Sequence, residues 1–133
     1  MVVTVISPEQ LSGETEHSQQ VALFCWCALQ QNKYLKWIHA IPNANSHKQV
    51  SEGVRGGVAD IFLPVPMQKG WGEMFAGLYI ELKVEKRRKQ KDGGLSQDQI
   101  DFGKYAIDMG YQWRVCYGWK EASNVIEEYL KAG

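Results

Sequence analysis

No run of this chain approaches the roughly 20 consecutive apolar residues that a membrane helix requires, so no membrane span is expected. Charge of one sign is missing too. Fifteen Lys and Arg balance 15 Asp and Glu, so net charge alone draws the chain to neither nucleic acid nor an acidic partner. Cysteine is sparse, at Cys25, Cys27 and Cys116. That odd number, with no charged lead before the short apolar run Met1 to Ile6 and hence no signal-peptide pattern, points to reduced thiols in a cytoplasm. Cys25 and Cys27 lie two apart in a helical stretch and face different ways, a poor spacing for zinc. A Walker loop, a dinucleotide glycine pattern and a nucleophile elbow are all absent. So are internal repeats and low-complexity tracts.

What is present fits one domain over residues 1–133, with 44% hydrophobic and 11% aromatic residues to supply a core without metal or disulfide staples. A helix is expected from about Gly13 to Gln31, capped by Ser12 or Thr15. The run Val21 to Leu29 is apolar almost all round, so this helix should be largely buried. Ile41 to Gln49 reads as a loop leading to a short turn of helix. Val58 to Val65 reads as an apolar strand ended by Pro64 and Pro66, and Met67 to Gly72 as a turn. Gly77 to Glu85 alternates with period two, placing Ile80, Leu82 and Val84 on one face and Glu81, Lys83 and Glu85 on the other. A helix from Ser96 to about Met109, with Leu95, Ile100, Phe102, Tyr105, Ala106 and Met109 as its contacts, ends at Gly110. A strand over Gln112 to Tyr117 and an amphipathic helix over Trp119 to Lys131 complete an α/β fold, a small mixed sheet flanked by helices.

The residues able to do chemistry gather on the strands. Glu81 and Lys83 leave the same face, two positions apart. Asp60 sits in an apolar run where an unpaired carboxylate is costly. If the strands pair, Asp60 and Glu81 converge on one point, and two carboxylates there suit a hard cation such as Mg²⁺. Lys83 beside them suits a water or a phosphate, while the competing reading is a solvated polar strand face. Between Lys83 and Lys91 the chain also carries Lys86, Arg87, Arg88 and Lys89 against Glu85. This is either a solvated loop or a set of phosphate contacts. His17, His39 and His47 carry weaker signals, the last two flanking the asparagine loop.

These pieces occur in a recognisable order. Gly57-Val58-Ala59-Asp60-Ile61-Phe62-Leu63-Pro64, then Gly77-Leu78-Tyr79-Ile80-Glu81-Leu82-Lys83, then Leu95-Ser96-Gln97-Asp98-Gln99, then Gly110-Tyr111 before a strand, together resemble the VRR-NUC domain. This is the virus-type replication-repair branch of the PD-(D/E)XK nucleases, and stand-alone domains of this size look like its bacteriophage and prophage members. The resemblance implies a restriction-endonuclease-like core. Asp60 matches the acidic residue of the PD element, Glu81 and Lys83 the (D/E)XK element, and Gln99 the glutamine of S-x-x-Q. Glu16 resembles the acidic residue of the first helix, with Gln20 one turn on and Glu14 as a rival. Ala59 stands where the family carries proline, and the loop Pro42-Asn43-Ala44-Asn45 lacks the family's usual glycines. Gln99 keeps a second reading, because Ser96 to Gln99 is also a helix capping box.

The resemblance further implies hydrolysis of DNA phosphodiester bonds with Mg²⁺ or Mn²⁺ held by Asp60, Glu81 and the Leu82 backbone carbonyl, and with catalytic parts for Glu16, Lys83 and Gln99. It implies branched DNA such as four-way junctions as substrate, DNA contacts from Lys86, Arg87, Arg88, Lys89 and Lys91, a homodimer, and a place in the cytoplasm of a bacterial host. The rival readings are a non-catalytic DNA-binding or recruiting module, and a nuclease of flap or double-strand specificity.

Overall fold

The computed structural model describes residues 6–44, 46–68 and 70–131. Met1 to Val5, Asn45, Lys69, Ala132 and Gly133 lie outside the described residues, and with them most of the N-terminal apolar run and parts of the asparagine loop and the Met67–Gly72 turn. Helices α1 (Pro8–Leu11) and α2 (Glu16–Gln30) come first, followed by the short strand β1 (His39–Ala40) and the helix α3 (His47–Ser51). The strands β2 (Ile61–Leu63), β3 (Met67–Gln68), β4 (Met74–Phe75) and β5 (Leu78–Lys83) lead to α4 (Gln97–Asp108), β6 (Gln112–Tyr117) and α5 (Trp119–Lys131). The main sheet runs β1-β2-β5-β6, with β5 and β6 parallel and the other neighbours antiparallel, so the sheet is mixed. Among the described residues no helix is long and apolar enough to cross a membrane.

Three helix starts share a local cause. Ser7, Thr15 and Ser96 each accept a hydrogen bond from the backbone three residues on, in reciprocal capping boxes with Gln10, Ser18 and Gln99. The core lies under one face of the sheet, where Ile61, Leu63, Leu78, Ile80 and Leu82 meet Ala22, Leu23 and Cys27 of α2 and Ala122, Val125, Ile126 and Tyr129 of α5. Each fully buried Leu or Ile here is worth about 1.5–3 kcal/mol of transfer free energy. The opposite face carries Phe62 and Tyr79, whose rings lie 4.4 Å apart, and Phe102 of α4 closes over Tyr79 at 5.0 Å. Gly103 of α4 permits this approach: a Cβ there would stand 2.5 Å from the Trp113 ring on β6.

Several expectations change. The strand expected over Val58 to Val65 forms only at Ile61–Leu63. Before it, the Asp60 side chain takes a backbone partner on β5; after it, Val65 folds back to hydrogen-bond the Leu63 carbonyl. Met67 to Gly72 is not simply a turn, since Met67 and Gln68 pair with Phe75 and Met74 as a second, two-stranded sheet. Helix α2 is not buried all round: Val21 and Leu29 are exposed, because it lies on the sheet and on α5 with one side to solvent. Tyr105 of α4 and Met109, which caps its C-terminus, are likewise exposed, and Ala106 and Gly103 make the helix's close contacts instead. The basic stretch is not an open loop but two short 3₁₀ turns, Glu85–Arg87 and Lys91–Gly94.

Candidate active site

The register of β2 on β5 pairs Ile61 with Ile80, so Asp60, one residue before the strand, stands opposite Glu81. Asp60 Oδ2 accepts a hydrogen bond from the Leu82 backbone N–H at 2.8 Å, replacing the main-chain ladder where β2 has ended. The N–H and C=O of one strand residue leave by the same edge, so the Leu82 carbonyl faces the Asp60 side as well. Gly57 fixes the approach to Asp60. Its φ of +84° is left-handed, and a Cβ would lie 2.8 Å from the Asp98 backbone at the start of α4. The segment before Asp60 therefore passes tightly over the first turn of that helix.

Glu81 and Lys83 occupy the face that the alternation assigned to them, but α4 covers it. Glu81 is 1% exposed and Lys83 5% exposed. Glu81 Oε1 accepts from Gln99 Nε2 at 2.9 Å and lies 4.0 Å from Lys83 Nζ. Lys83 Nζ donates to Gln99 Oε1 at 3.1 Å. The capping box forms, and the same Gln99 side chain also reaches the strand. Its Oε1 accepts the Ser96 backbone N–H of the capping box at 2.9 Å as well as the Lys83 ammonium, and its Nε2 is thereby turned to the carboxylate.

Glu81 Oε2 is buried and has no hydrogen-bond partner among the described residues. Burial pushes the Glu81 carboxyl well above the ordinary carboxylate range; Asp60 pushes the same way, by its charge and by hydrogen-bonding the protonated form, Lys83 opposes them, and Glu16 adds more weakly to the rise. The proton bound by the folded chain is released on unfolding, so stability has a pH slope. The contribution is complete below the ordinary carboxylate range and is lost as pH rises through the raised value. In chelator, the melting temperature is expected to fall across that window, and Glu81→Gln is expected to flatten the slope. A slope unchanged in this variant, read by thermal denaturation at a series of pH values, assigns it to other groups.

Glu16 opens α2 directly after its cap, Thr15, and its Oε1 is buried without a hydrogen-bond partner among the described residues. Its charge registers on Glu81, whereas Glu14 is exposed and precedes the cap. His17, His39 and His47 are all exposed; His39 packs edge-on against Phe62. Lys86, Lys89 and Lys91 are exposed, but Arg88 is bound by Glu85 and Glu121, and Arg87 turns back to Glu16 at 3.5 Å. The loop is anchored by Tyr117, whose hydroxyl donates to the Gly93 carbonyl at 2.7 Å. Sequence gave no sign of this tie, which joins residues far apart in the chain.

Among the described residues no group of three or more His, Cys, Asp or Glu side chains forms a metal cage by itself. The donors nearest to one are all oxygen: Asp60, Glu81 and the Leu82 carbonyl. An unpartnered buried carboxylate oxygen beside a second carboxylate is the situation a hard divalent cation relieves, so these residues fit such an ion.

No family model matches the chain, and no curated protein matches it. A solved structure bearing the description VRR_NUC domain protein is similar over 92% of this chain and 93% of that one, with a TM-score of 0.76 and 25% sequence identity.

Proposed function

We propose that the chain, whose fold is like that of a VRR_NUC domain protein, is a divalent-metal-dependent endonuclease hydrolysing DNA phosphodiester bonds at Asp60, Glu81 and Lys83. The observation that carries this reading is the buried Glu81 carboxylate, with one oxygen held by Gln99 and the other unpartnered beside Asp60. Without an ion the two carboxyls share a proton, and a divalent cation bound between them would take its place.

In this reading Asp60, Glu81 and the Leu82 carbonyl would hold Mg²⁺ or Mn²⁺, and Glu16 would contribute through water. When bound, the ion supplies Lewis-acid charge at the phosphate and makes a water more acidic. Lys83 orients the attacking water and offsets charge that builds on the phosphate. Gln99 keeps the Lys83 ammonium and the Glu81 carboxylate in a fixed relation, since its amide cannot turn over without losing the Ser96 N–H. The products are a 5′-phosphate and a 3′-hydroxyl. Loading the site requires Glu81 to lose its proton. Calorimetry near neutral pH in buffers of differing ionisation enthalpy is therefore expected to show about one proton released per ion bound by the wild type, and a binding enthalpy that does not depend on the buffer removes this explanation.

Lys86, Lys89 and Lys91 are proposed to contact phosphates without reading sequence. Each such contact contributes about 0.9 to the log–log salt slope, so the triple alanine variant is expected to lose roughly two to three units of slope. Arg88→Ala is expected to leave the slope nearly unchanged, because Glu85 and Glu121 already neutralise that guanidinium. A slope that falls with Arg88 but not with the lysines reverses the assignment.

The finer proposal is a homodimer acting on branched DNA in the cytoplasm. A two-fold pair presents two sites to symmetric strands and brings two basic loops together on a protomer of zero net charge. The test is cleavage of junction, flap, nicked and linear DNA with Mg²⁺, Mn²⁺ or chelator, alongside light scattering of the free and DNA-bound protein. Absence of metal-dependent cleavage on every substrate refutes the nuclease; a monomer in both states refutes the dimer.

A further inference from the structure

The basic stretch carries two adjacent arginines, and the fold treats them oppositely. Arg88 forks onto Glu85 at 2.7 and 2.9 Å, reaches Glu121 at 2.6 Å and lies 4.4 Å over the Tyr117 ring. Its donors are committed to the scaffold. Arg87 turns the other way, toward Glu16 at the rim of the site, and both side chains are half-exposed. Its Nε lies 3.5 Å from Glu16 Oε1, and its terminal nitrogen lies 3.5 Å from the Gly94 carbonyl. Both contacts are at the outer limit of useful length. Glu16 Oε1 is buried yet has no hydrogen bond, so the pair is loose at both ends. The base from which Arg87 projects is nevertheless fixed. Tyr117 holds the Gly93 carbonyl, and Gly94, at φ +82°, leaves room for the arginine stem, since a Cβ there would lie 2.9 Å from Arg87.

We propose that Arg87 is a phosphate-binding residue of the active site, held on Glu16 until DNA arrives and then transferred from that carboxylate to a phosphate beside the cleavage point. The exchange is favourable on geometry. A guanidinium gains two parallel charge-assisted hydrogen bonds on a phosphate, and it gives up a contact too long to be one. Glu16 loses no hydrogen bond and becomes available to the ion. While Arg87 stays on Glu16, it offsets an acidic pocket that would otherwise repel the DNA backbone. The two basic elements then divide the work: the exposed lysines attract DNA, and Arg87 engages the phosphate at the rim of the site.

This inference rests on the nuclease reading, and a double-mutant cycle in chelator separates the two. Binding of a fluorescein-labelled four-way junction is followed by anisotropy over a salt series for wild type, Glu16→Gln, Arg87→Ala and the pair. Glu16→Gln is expected to release Arg87, raising metal-free affinity roughly tenfold and steepening the salt slope by about 0.9, one contact. In the Arg87→Ala background the same change should gain about twofold or less, which is the effect of removing one negative charge near DNA. Equal gains in both backgrounds overturn the proposal. Arg87→Lys, which keeps charge and loses the fork, should recover part of the gain and gives the same reading if Arg87→Ala does not fold. Wild type that binds the junction but never cleaves it with Mg²⁺ or Mn²⁺ overturns the nuclease reading alone, while the cycle still reports on Arg87. Wild type that does not bind even at low salt overturns both.

Discussion

Asp60→Asn and Glu81→Gln are each expected to lower single-turnover DNA cleavage by about three orders of magnitude or more, since metal activation of water is the step they serve. At about 1.4 kcal/mol per factor of ten, that is on the order of 4 kcal/mol of lost transition-state stabilisation. Both changes preserve shape. Asn at 60 retains an oxygen for the Leu82 N–H, and Gln at 81 retains one for Gln99, so the fold should survive. Glu81→Gln also removes a group that is costly to ionise when buried, and the metal-free variant is expected to be at least as stable as wild type above the ordinary carboxylate range. DNA binding should persist in both variants; near neutral pH in chelator it should tighten for Asp60→Asn, which removes a negative charge, and change little for Glu81→Gln, whose carboxyl is already protonated there. The outcome that sinks the site is near-normal single-turnover cleavage in either variant, with protein saturating and metal binding followed by calorimetry.

Lys83→Met is expected to abolish cleavage just as thoroughly while changing metal affinity by no more than several-fold. Methionine keeps the apolar stem in its buried slot and removes the ammonium. Two effects on the ion oppose each other. Losing a neighbouring positive charge favours cation binding, whereas losing the one group that draws Glu81 toward its ionised form favours proton competition. Gln99 Oε1 loses one of its two donors but keeps the Ser96 N–H, so the helix cap should hold. Calorimetry and cleavage measured on the same preparation separate this from a carboxylate variant, which should lose both. Cleavage within a few-fold of wild type would make Lys83 a charge neutraliser only.

Much of this molecule was legible before any coordinate. Period-two alternation placed Glu81 and Lys83 on one face of β5, and strand pairing then brought Asp60 to Glu81. The serine and threonine caps, the period of α5 and the order of the motifs are local or nearly local properties, fixed by residues a few positions apart. What the alternation did not reveal is that its polar face is closed. The cover, α4, comes later in the chain, and whether a polar face meets solvent depends on what packs over it. That cover turns Gln99 from a cap into a bridge between Lys83 and Glu81, and lifts Glu81 out of the ordinary carboxylate range. Neighbouring Arg87 and Arg88 look equivalent in sequence, yet one is consumed by Glu85 and Glu121 and the other faces Glu16. Local spacing decides which way a side chain leaves its own strand or helix. Burial, ion partners and proton affinity depend on the groups that other segments bring within a few ångströms, and only the tertiary structure decides those.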